Sequence, residues 1–185
     1  MLDQPSLAGA GQVLLGILVL VAAIFDIRFR RIPNWLVLAG IIVGFTWNVY
    51  SSGWSGLRSA AEGLGLGFVL YFPLYLIRAR GAGDVKLLAA VGAITGPGNC
   101  FWIFLSTAIL GGVIALLLLM VRGRVQKTLF NVGWIVRDLL QFRAPYKSNE
   151  EVDVTTTKGL RLPHAAMIAV GTIAFLVAAQ RGFKI

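Results

Sequence analysis

Two of the five aspartates in this sequence stand beside long apolar stretches, where ionisable side chains most often have a function. Asp26 directly follows the apolar stretch Leu7 to Phe25, and Asp84 follows Gly81-Ala82-Gly83 at the start of another apolar stretch. Two carboxylates within hydrogen-bonding distance do not both ionise easily, so they share a proton. One can then activate a water molecule while the other protonates or polarises a peptide carbonyl, which is metal-free aspartic protease chemistry.

Each aspartate also has a purely structural interpretation. Asp26 could pair with Arg28 or Arg30, and Asp84 could cap a helix and interact with its positive end. The two glycines before Asp84 would supply backbone freedom and leave space for an extended substrate. A Gly-x-Gly-Asp string alone is a weak signal, so the two aspartates carry more weight together than singly.

The composition determines which elements can position these carboxylates. Of the 185 residues, 57% are hydrophobic and only 14% are charged, and the mean hydropathy is +0.80. An average soluble domain carries about 25% charged residues. These values exclude an ordinary soluble globule and a disordered chain, and a single cysteine excludes an intramolecular disulfide scaffold. We therefore expect residues 1–185 to form one integral membrane domain.

Apolar stretches of about 20 residues predict an all-α, polytopic membrane helix bundle with about six transmembrane helices. Gly96-Pro97-Gly98-Asn99 divides one apolar run that is too long for a single crossing. Glycines spaced by four within the spans predict close helix packing. The predicted spans are Leu7 to Phe25, Ile32 to Tyr50, Ser59 to Ile77, a short fourth helix from about Val85, a fifth from about Phe101, and Leu162 to Gln180.

The placement of the cations predicts the orientation. The net charge is +9, and most Lys and Arg residues follow spans one, three and five, as expected for cytoplasmic loops. This puts both termini outside and Asp26 and Asp84 at the cytoplasmic face. Residues 122–161 become a basic cytoplasmic loop with an interfacial helix, and Cys100 falls in a short outer turn that reagents should reach. The basic charge needs no nucleic acid partner.

Two strings together carry a family resemblance. Asp26-Ile-Arg-Phe-Arg-Arg-Ile-Pro-Asn34 follows the first span, and Gly81-Ala-Gly-Asp84-Val-Lys-Leu-Leu-Ala89 precedes a short span. Their order and the number of spans closely resemble the prepilin peptidases, or type IV leader peptidases. The resemblance is closest to the small CpaA/TadV-like branch, which serves Flp pili, and it covers essentially the whole chain.

The resemblance implies roles for five residues. Asp26 and Asp84 match the catalytic aspartates of the family, Gly81 and Gly83 match its glycine motif, and Lys86 matches the basic residue that helps to position the substrate. The implied protein is an aspartic endopeptidase of the GxGD type in the bacterial inner membrane. It would cut the leader from a prepilin or pseudopilin at the cytoplasmic face, with no metal and no cofactor. The resemblance leaves the particular pilin and the oligomeric state open.

The sequence departs from the family in two places. Larger members carry paired cysteine motifs suited to zinc and methylate the new pilin terminus, whereas this chain has one cysteine. We therefore expect no zinc region, which argues against methyltransferase activity. His164, the only histidine, stands after Pro163 where an aromatic residue is expected. A packing or hydrogen-bonding role fits it better than a catalytic one.

Two other classes of function remain open on the sequence alone. In a small proton-coupled transporter, Asp26 and Asp84 would relay protons, and short broken helices suit such proteins. However, transporter carboxylates usually lie near the middle of the membrane, and no inverted repeat is apparent. The other class is a pilus-assembly membrane protein without catalysis, against which the presence of both aspartates and the glycine motif argues.

Overall fold

The computed structural model describes residues 9–77, 80–121 and 163–181, and these residues form four helices and no strand. Helix α1 spans Gly9–Phe29, α2 spans Asn34–Leu76, α3 spans Ala82–Val121, and α4 spans His164–Gln180. The expectation of an all-helical chain is confirmed for this part of the sequence. The predicted basic loop at residues 122–161 lies outside the described residues.

Two glycines interrupt the longest helices. Gly53 has φ 56° and ψ −129°, and Gly96 has φ 74° and ψ 173°, conformations that glycine adopts without steric penalty. They divide α2 into α2a (residues 34–52) and α2b (residues 54–76), and α3 into α3a (residues 82–95) and α3b (residues 97–121). The break at Gly96 was expected. A wider connection was expected between Tyr50 and Ser59, and the structure replaces it with a single non-helical glycine.

Helix α2 reverses direction at Gly53. Gly40 faces Ala90, and Gly44 lies so close to Ala93 that a Cβ on Gly44 would be 2.8 Å from the Ala93 carbonyl carbon. Residue numbers rise together in these contacts, so α2a and α3a run in parallel. Segment α2b runs the other way along α3a, where the contacts pair Gly63 with Gly92 and Gly67 with Leu88.

The remaining contacts show in which direction each of the other helical segments runs. Cys100 lies beside Gly92, so the chain also reverses at Gly96. Segment α3b and α4 are antiparallel, because Thr107 contacts Gly171 and Gly111 contacts Met167. Helices α1 and α4 are also antiparallel, because Gln12 bonds to Gln180 and Asp26 bonds to Ala165. The six helical segments therefore alternate in direction along the chain. Helix α1, α2b and α3b all end at the same end of the bundle.

The short segment α3a is the centre of the bundle. Residues 87–96 are all buried, because α2a and α2b cover it on separate sides and α1 completes the core. A Cβ on Gly63 or Gly67 would collide with the backbone of α3a. The expectation that glycines spaced by four permit close helix packing is confirmed here. The head of α3a, which carries Asp84, is thus held rigidly against its neighbours.

The outer surface of the helices is as apolar as the core. On α1 one face is buried, while the opposite face exposes large apolar side chains at Val13, Ile17, Leu20 and Ile24. A helix that is hydrophobic all round belongs in a large core or in a membrane. Helix α1, α2 and the stretch Ala82–Leu118 of α3 are long and apolar enough to cross a membrane.

Cys100 does not lie in an exposed turn. The sequence placed it in a short outer loop, but the helix resumes directly after Gly96, and Cys100 is in the first turn of α3b with 0% of its surface exposed. It packs against Gly92 on the adjacent segment. The expectation that a thiol reagent reaches Cys100 is therefore wrong for the folded protein.

Candidate active site

Asp26 lies in the last turn of α1 and is partly buried. Its Oδ2 accepts a 2.9 Å hydrogen bond from the backbone N–H of Ala165 in the first turn of α4. Its carbonyl oxygen accepts a 2.9 Å bond from the N–H of Arg30, which ends the helix with a φ of 53°. The guanidinium of Arg28 lies over the Phe29 ring. The carboxylate of Asp26 is thus fixed toward α4.

Asp84 lies in the first turn of α3 and is buried. Its backbone N–H donates a 3.2 Å hydrogen bond to the Gly81 carbonyl oxygen, which begins the helix. Asp26 and Asp84 are close enough for their charges to interact, although they belong to separate helices. Two neighbouring carboxylates of this kind can share a proton. The positive end of α3 also favours a carboxylate at Asp84, so the structural interpretation of this residue holds as well.

Tyr71 and His164 form a buried polar pair beside the two aspartates. Tyr71 Oη and His164 Nε2 share a 2.8 Å hydrogen bond, and their rings meet edge to face with centroids 5.5 Å apart. The Tyr71 ring also meets the ring of Phe104 edge to face. His164 therefore has a hydrogen-bonding and packing role, as expected from the sequence. Tyr71 was not among the residues predicted for the site.

Arg80 supplies a positive charge at the same end of the bundle. It is close enough to Asp84, Tyr71 and His164 for its charge to act on all three. The sequence assigned Arg80 only to membrane orientation. Arg80 stands three residues before Gly83, at the end of the connection into α3. This closeness to the glycine motif is the one sequence signal that could have indicated that Arg80 belongs to the site.

Lys86 is exposed and connects the two motif regions. Its Nζ donates a 3.2 Å hydrogen bond to Oδ1 of Asn34, at the start of α2. Ile32, in the turn between α1 and α2, lies next to Gly83 in the first turn of α3. The turn after Asp26 and the turn that carries Asp84 are therefore held together by one polar and one apolar contact.

Gly81 and Gly83 do not use the backbone freedom that was expected of them. Among the described residues only Gly53 and Gly96 are glycines with positive φ. A Cβ on Gly81 would lie 3.8 Å from Asp84 Oδ2, and one on Gly83 would lie 3.4 Å from Ile32 Cδ1. Both distances allow ordinary contact, so the fold itself requires glycine at neither position. Space beside Asp84 remains as an interpretation for Gly81, whereas the side of Gly83 is occupied by Ile32.

The comparison with known protein families supports one of the open interpretations. The type IV leader peptidase family matches residues 13–116, more than half of the chain, and the match includes Asp26 and Asp84. The chain belongs to this family. No curated protein and no solved structure matches the chain.

Membership in the type IV leader peptidase family makes the chain a peptidase of the leader peptidase kind, and prepilin-like proteins are the substrates of that family. Together with three long apolar helices, it makes the chain a membrane protein. The resemblance seen in the sequence is confirmed at the level of the family. The small CpaA/TadV-like branch stays a prediction.

Metal ligands were not expected in this site. In residues 9–77, 80–121 and 163–181, no three His, Cys, Asp or Glu side chains gather as a metal site requires. The metal-free mechanism accordingly stays a prediction with its own test.

Proposed function

We propose that this protein is a membrane-embedded aspartic endopeptidase that removes the leader peptide from Flp-type prepilins or related pseudopilins. The family match supports a leader peptidase. The single observation that carries the aspartic mechanism is that Asp26 and Asp84, far apart in the chain, lie at the same end of the bundle, where Ile32 of the turn after Asp26 contacts Gly83 beside Asp84. This common location supports the proposal, because a shared-proton pair needs both carboxylates in one place.

The proposed reaction needs only these two side chains and a water molecule. One carboxylate takes a proton from water while the oxygen bonds to the scissile carbonyl carbon, and the other carboxyl group protonates the carbonyl oxygen. The first carboxyl group then gives its proton to the amide nitrogen and the carbon–nitrogen bond breaks, while a hydroxyl of the tetrahedral intermediate returns a proton to the second carboxylate as the carbonyl re-forms, which restores the starting protonation of the pair. Gly81 leaves the side of Asp84 open for an extended substrate, Gly83 lets Ile32 pack on the first turn of α3, and Lys86 helps to position the substrate.

We propose six membrane crossings with the site at the cytoplasmic face of the bacterial inner membrane. The alternating direction of the six helical segments supports this count. Cations gather at the end of the bundle where the aspartates lie, as in cytoplasmic loops. They are Arg28, Arg30, Arg31, Arg80 and Lys86. Near the opposite end Arg58 is paired with Glu62 at 2.7 Å, so this cation is locally neutralised.

The position of the carboxylates favours peptidase over transporter activity. Asp26 is in the last turn of α1 and Asp84 is in the first turn of α3. Both therefore lie at an end of the bundle, whereas the ion and substrate sites of transporters usually lie near the membrane midplane. A cleavage site between a polar leader and an apolar pilin helix would also lie at the membrane surface.

The test is direct cleavage of a candidate prepilin. Purified protein in lipid is mixed with a synthetic prepilin segment that contains the leader and the start of the apolar helix, and the products are measured by mass spectrometry. The proposal predicts one cut that releases the intact leader. A substrate left whole by folded protein, across prepilins of the Flp type and of other types, would exclude peptidase activity on this class. Cleavage of other prepilins alone would move the protein out of the Flp branch.

A further inference from the structure

The first turn of α4 is held from two sides by residues of other helices. A helix start leaves backbone N–H groups without partners, and Pro163, which precedes α4, provides no side-chain cap. Asp26 Oδ2 takes up one of these groups by accepting the 2.9 Å bond from Ala165 N–H. The adjacent residue, His164, is hydrogen-bonded to Tyr71 Oη. Helix α1 and α2b thus meet on a single turn of α4.

The Tyr71–His164 contact is a specific connection in a mostly apolar core. Tyr71 is 3% exposed and His164 is 9% exposed. Polar atoms buried in such surroundings are costly unless they are hydrogen-bonded, and here each ring provides the other's polar partner across 93 positions of sequence. Removing one partner would leave the other unsatisfied. One of the two hydrogen bonds that hold the first turn of α4 would then be lost.

We propose that the Tyr71–His164 hydrogen bond positions Asp26 for catalysis, by holding the first turn of α4 where the Ala165 amide orients the Asp26 carboxylate toward Asp84. This inference rests on the proposed peptidase function. Tyr71 and His164 act through the backbone of α4, so they are positioning residues and do not touch the substrate. The amide that binds Asp26 belongs to Ala165, which is the residue after His164. A shift of His164 would therefore also shift this amide.

This role predicts a specific kinetic effect. A displacement of about 1 Å in a catalytic group lowers a rate by about a hundredfold. We therefore expect Tyr71→Phe to lower kcat by roughly tenfold to a hundredfold, while KM stays within about twofold because the substrate surface is unchanged. The substitution removes one oxygen atom and keeps the ring contacts with Phe104 and His164.

The obvious control is Tyr75→Phe. Tyr75 lies on the same segment one turn further on, is 43% exposed, and contacts the ring of Phe72. No hydrogen bond or ring contact joins Tyr75 to α4 or to either aspartate in the described part of the chain, so its variant should keep the kcat of the wild type. His164→Gln retains a hydrogen-bonding amide in place of Nε2 and should restore much of the activity that His164→Phe loses. The Tyr71→Phe/His164→Phe double variant should be scarcely slower than either single variant.

The closing experiment uses the full chain in lipid nanodiscs and reads two signals. His164 is the only histidine, so ¹⁵N-histidine labelling gives the resonances of one imidazole ring, which report the bond to Tyr71 without any substrate. Prepilin cleavage then gives kcat and KM, normalised to the folded fraction from thermal unfolding. We expect Tyr71→Phe to shift the Nε2 resonance and to lower kcat, while Tyr75→Phe does neither.

Other results overturn the inference in distinguishable ways. An Nε2 resonance unmoved by Tyr71→Phe would show that the bond is absent. A shifted resonance with an unchanged kcat would show that the bond is only structural. If the wild type and Tyr75→Phe both fail to cleave prepilins, the proposed function itself falls and the positioning role falls with it. If Tyr71→Phe does not fold, the kcat of folded His164→Phe and His164→Gln decides the question, because a loss in the first that the second largely restores supports the positioning role and wild-type kcat in His164→Phe overturns it.

Discussion

The backbone N–H of Ala165 donates a 2.9 Å hydrogen bond to Asp26 Oδ2 across 139 positions of sequence. This bond joins the end of α1 to the start of α4, and it fixes the Asp26 carboxylate at the end of the bundle where Asp84 begins α3. A pair of carboxylates is effective in catalysis only when both are held in a defined geometry. The start of α4 is therefore part of the site, although the family match ends before it.

The packing of α2b on α3a predicts opposite effects for two neighbouring glycines. A Cβ on Gly63 would collide with the Gly92 carbonyl, whereas a Cβ on Gly65 would meet nothing within 4 Å. Gly63→Ala should lower the free energy of unfolding by roughly 1–3 kcal/mol, as overpacking does. Gly65→Ala should leave it unchanged or raise it. Thermal unfolding in detergent measures both variants, and equal stabilities would contradict the close approach of the two segments.

Membrane orientation can be measured with introduced cysteines, because the native Cys100 is buried and should stay unlabelled in folded protein. Ser52 lies beside the reversal at Gly53, and Arg31 lies in the turn between α1 and α2. Both residues are exposed, so each can be replaced by cysteine as a label site. An impermeant thiol reagent should label Ser52→Cys in intact cells and Arg31→Cys only after the inner face is opened. Labelling in the reverse order would place the aspartates outside.

Lys86 and Asn34 share an exposed hydrogen bond, which predicts a small effect on stability and separate effects on kinetics. Lys86→Ala and Asn34→Ala should each lower the free energy of unfolding by less than about 1 kcal/mol. If Lys86 helps to position the substrate, Lys86→Ala raises KM for prepilin severalfold while Asn34→Ala leaves it near the wild-type value. Equal changes in KM would mean that Lys86 acts only through its bond to Asn34.

A water molecule activated by two carboxylates requires no metal ion. Prepilin cleavage should therefore keep its rate after dialysis against a strong chelator and after treatment with serine- and cysteine-directed protease reagents. Cleavage is followed by mass spectrometry before and after each treatment. Loss of turnover to the chelator, with recovery on adding zinc, would show that the aspartate pair is not sufficient.

The elements that position the aspartates were predictable because they depend on local pattern. Long apolar stretches gave the helices, and Gly96 gave the break that makes α3a short. The cations after Asp26 and before Asp84 placed both residues at the same end. Each of these features can be recognised within a short stretch of sequence, from a few residues up to the length of one span.

The rest of the site depends on contacts between distant segments, which local pattern does not encode. The Tyr71–His164 bond joins residues 93 positions apart. No spacing rule connects a tyrosine in one span with a histidine in another. The burial of Cys100 also escaped prediction, because a four-residue Gly-Pro-Gly-Asn stretch resembles a loop, whereas the structure bends at Gly96 alone and continues as helix from Pro97.

Local pattern also does not show where positive φ occurs, and Gly81 and Gly83 do not adopt it. Glycines beside a reactive residue suggest unusual dihedral angles, but positive φ occurs elsewhere, at Gly53, Gly96 and Arg30. The sequence shows which residue tolerates a special conformation, not where the fold imposes one. At Arg30 the special conformation ends α1 just beyond Asp26.

The most direct test of the whole account is prepilin cleavage by the Asn variants of the two aspartates. Asn is nearly isosteric with Asp and cannot exchange the catalytic proton, so Asp26→Asn and Asp84→Asn should each fold, enter the membrane and lose at least about a hundredfold in kcat. The double variant should be scarcely worse than either single one, since the pair acts as a unit. Asp138→Asn and Asp153→Asn serve as matched controls and should keep most of the activity. Substantial cleavage by Asp26→Asn or Asp84→Asn at normal abundance would contradict the assignment of the pair.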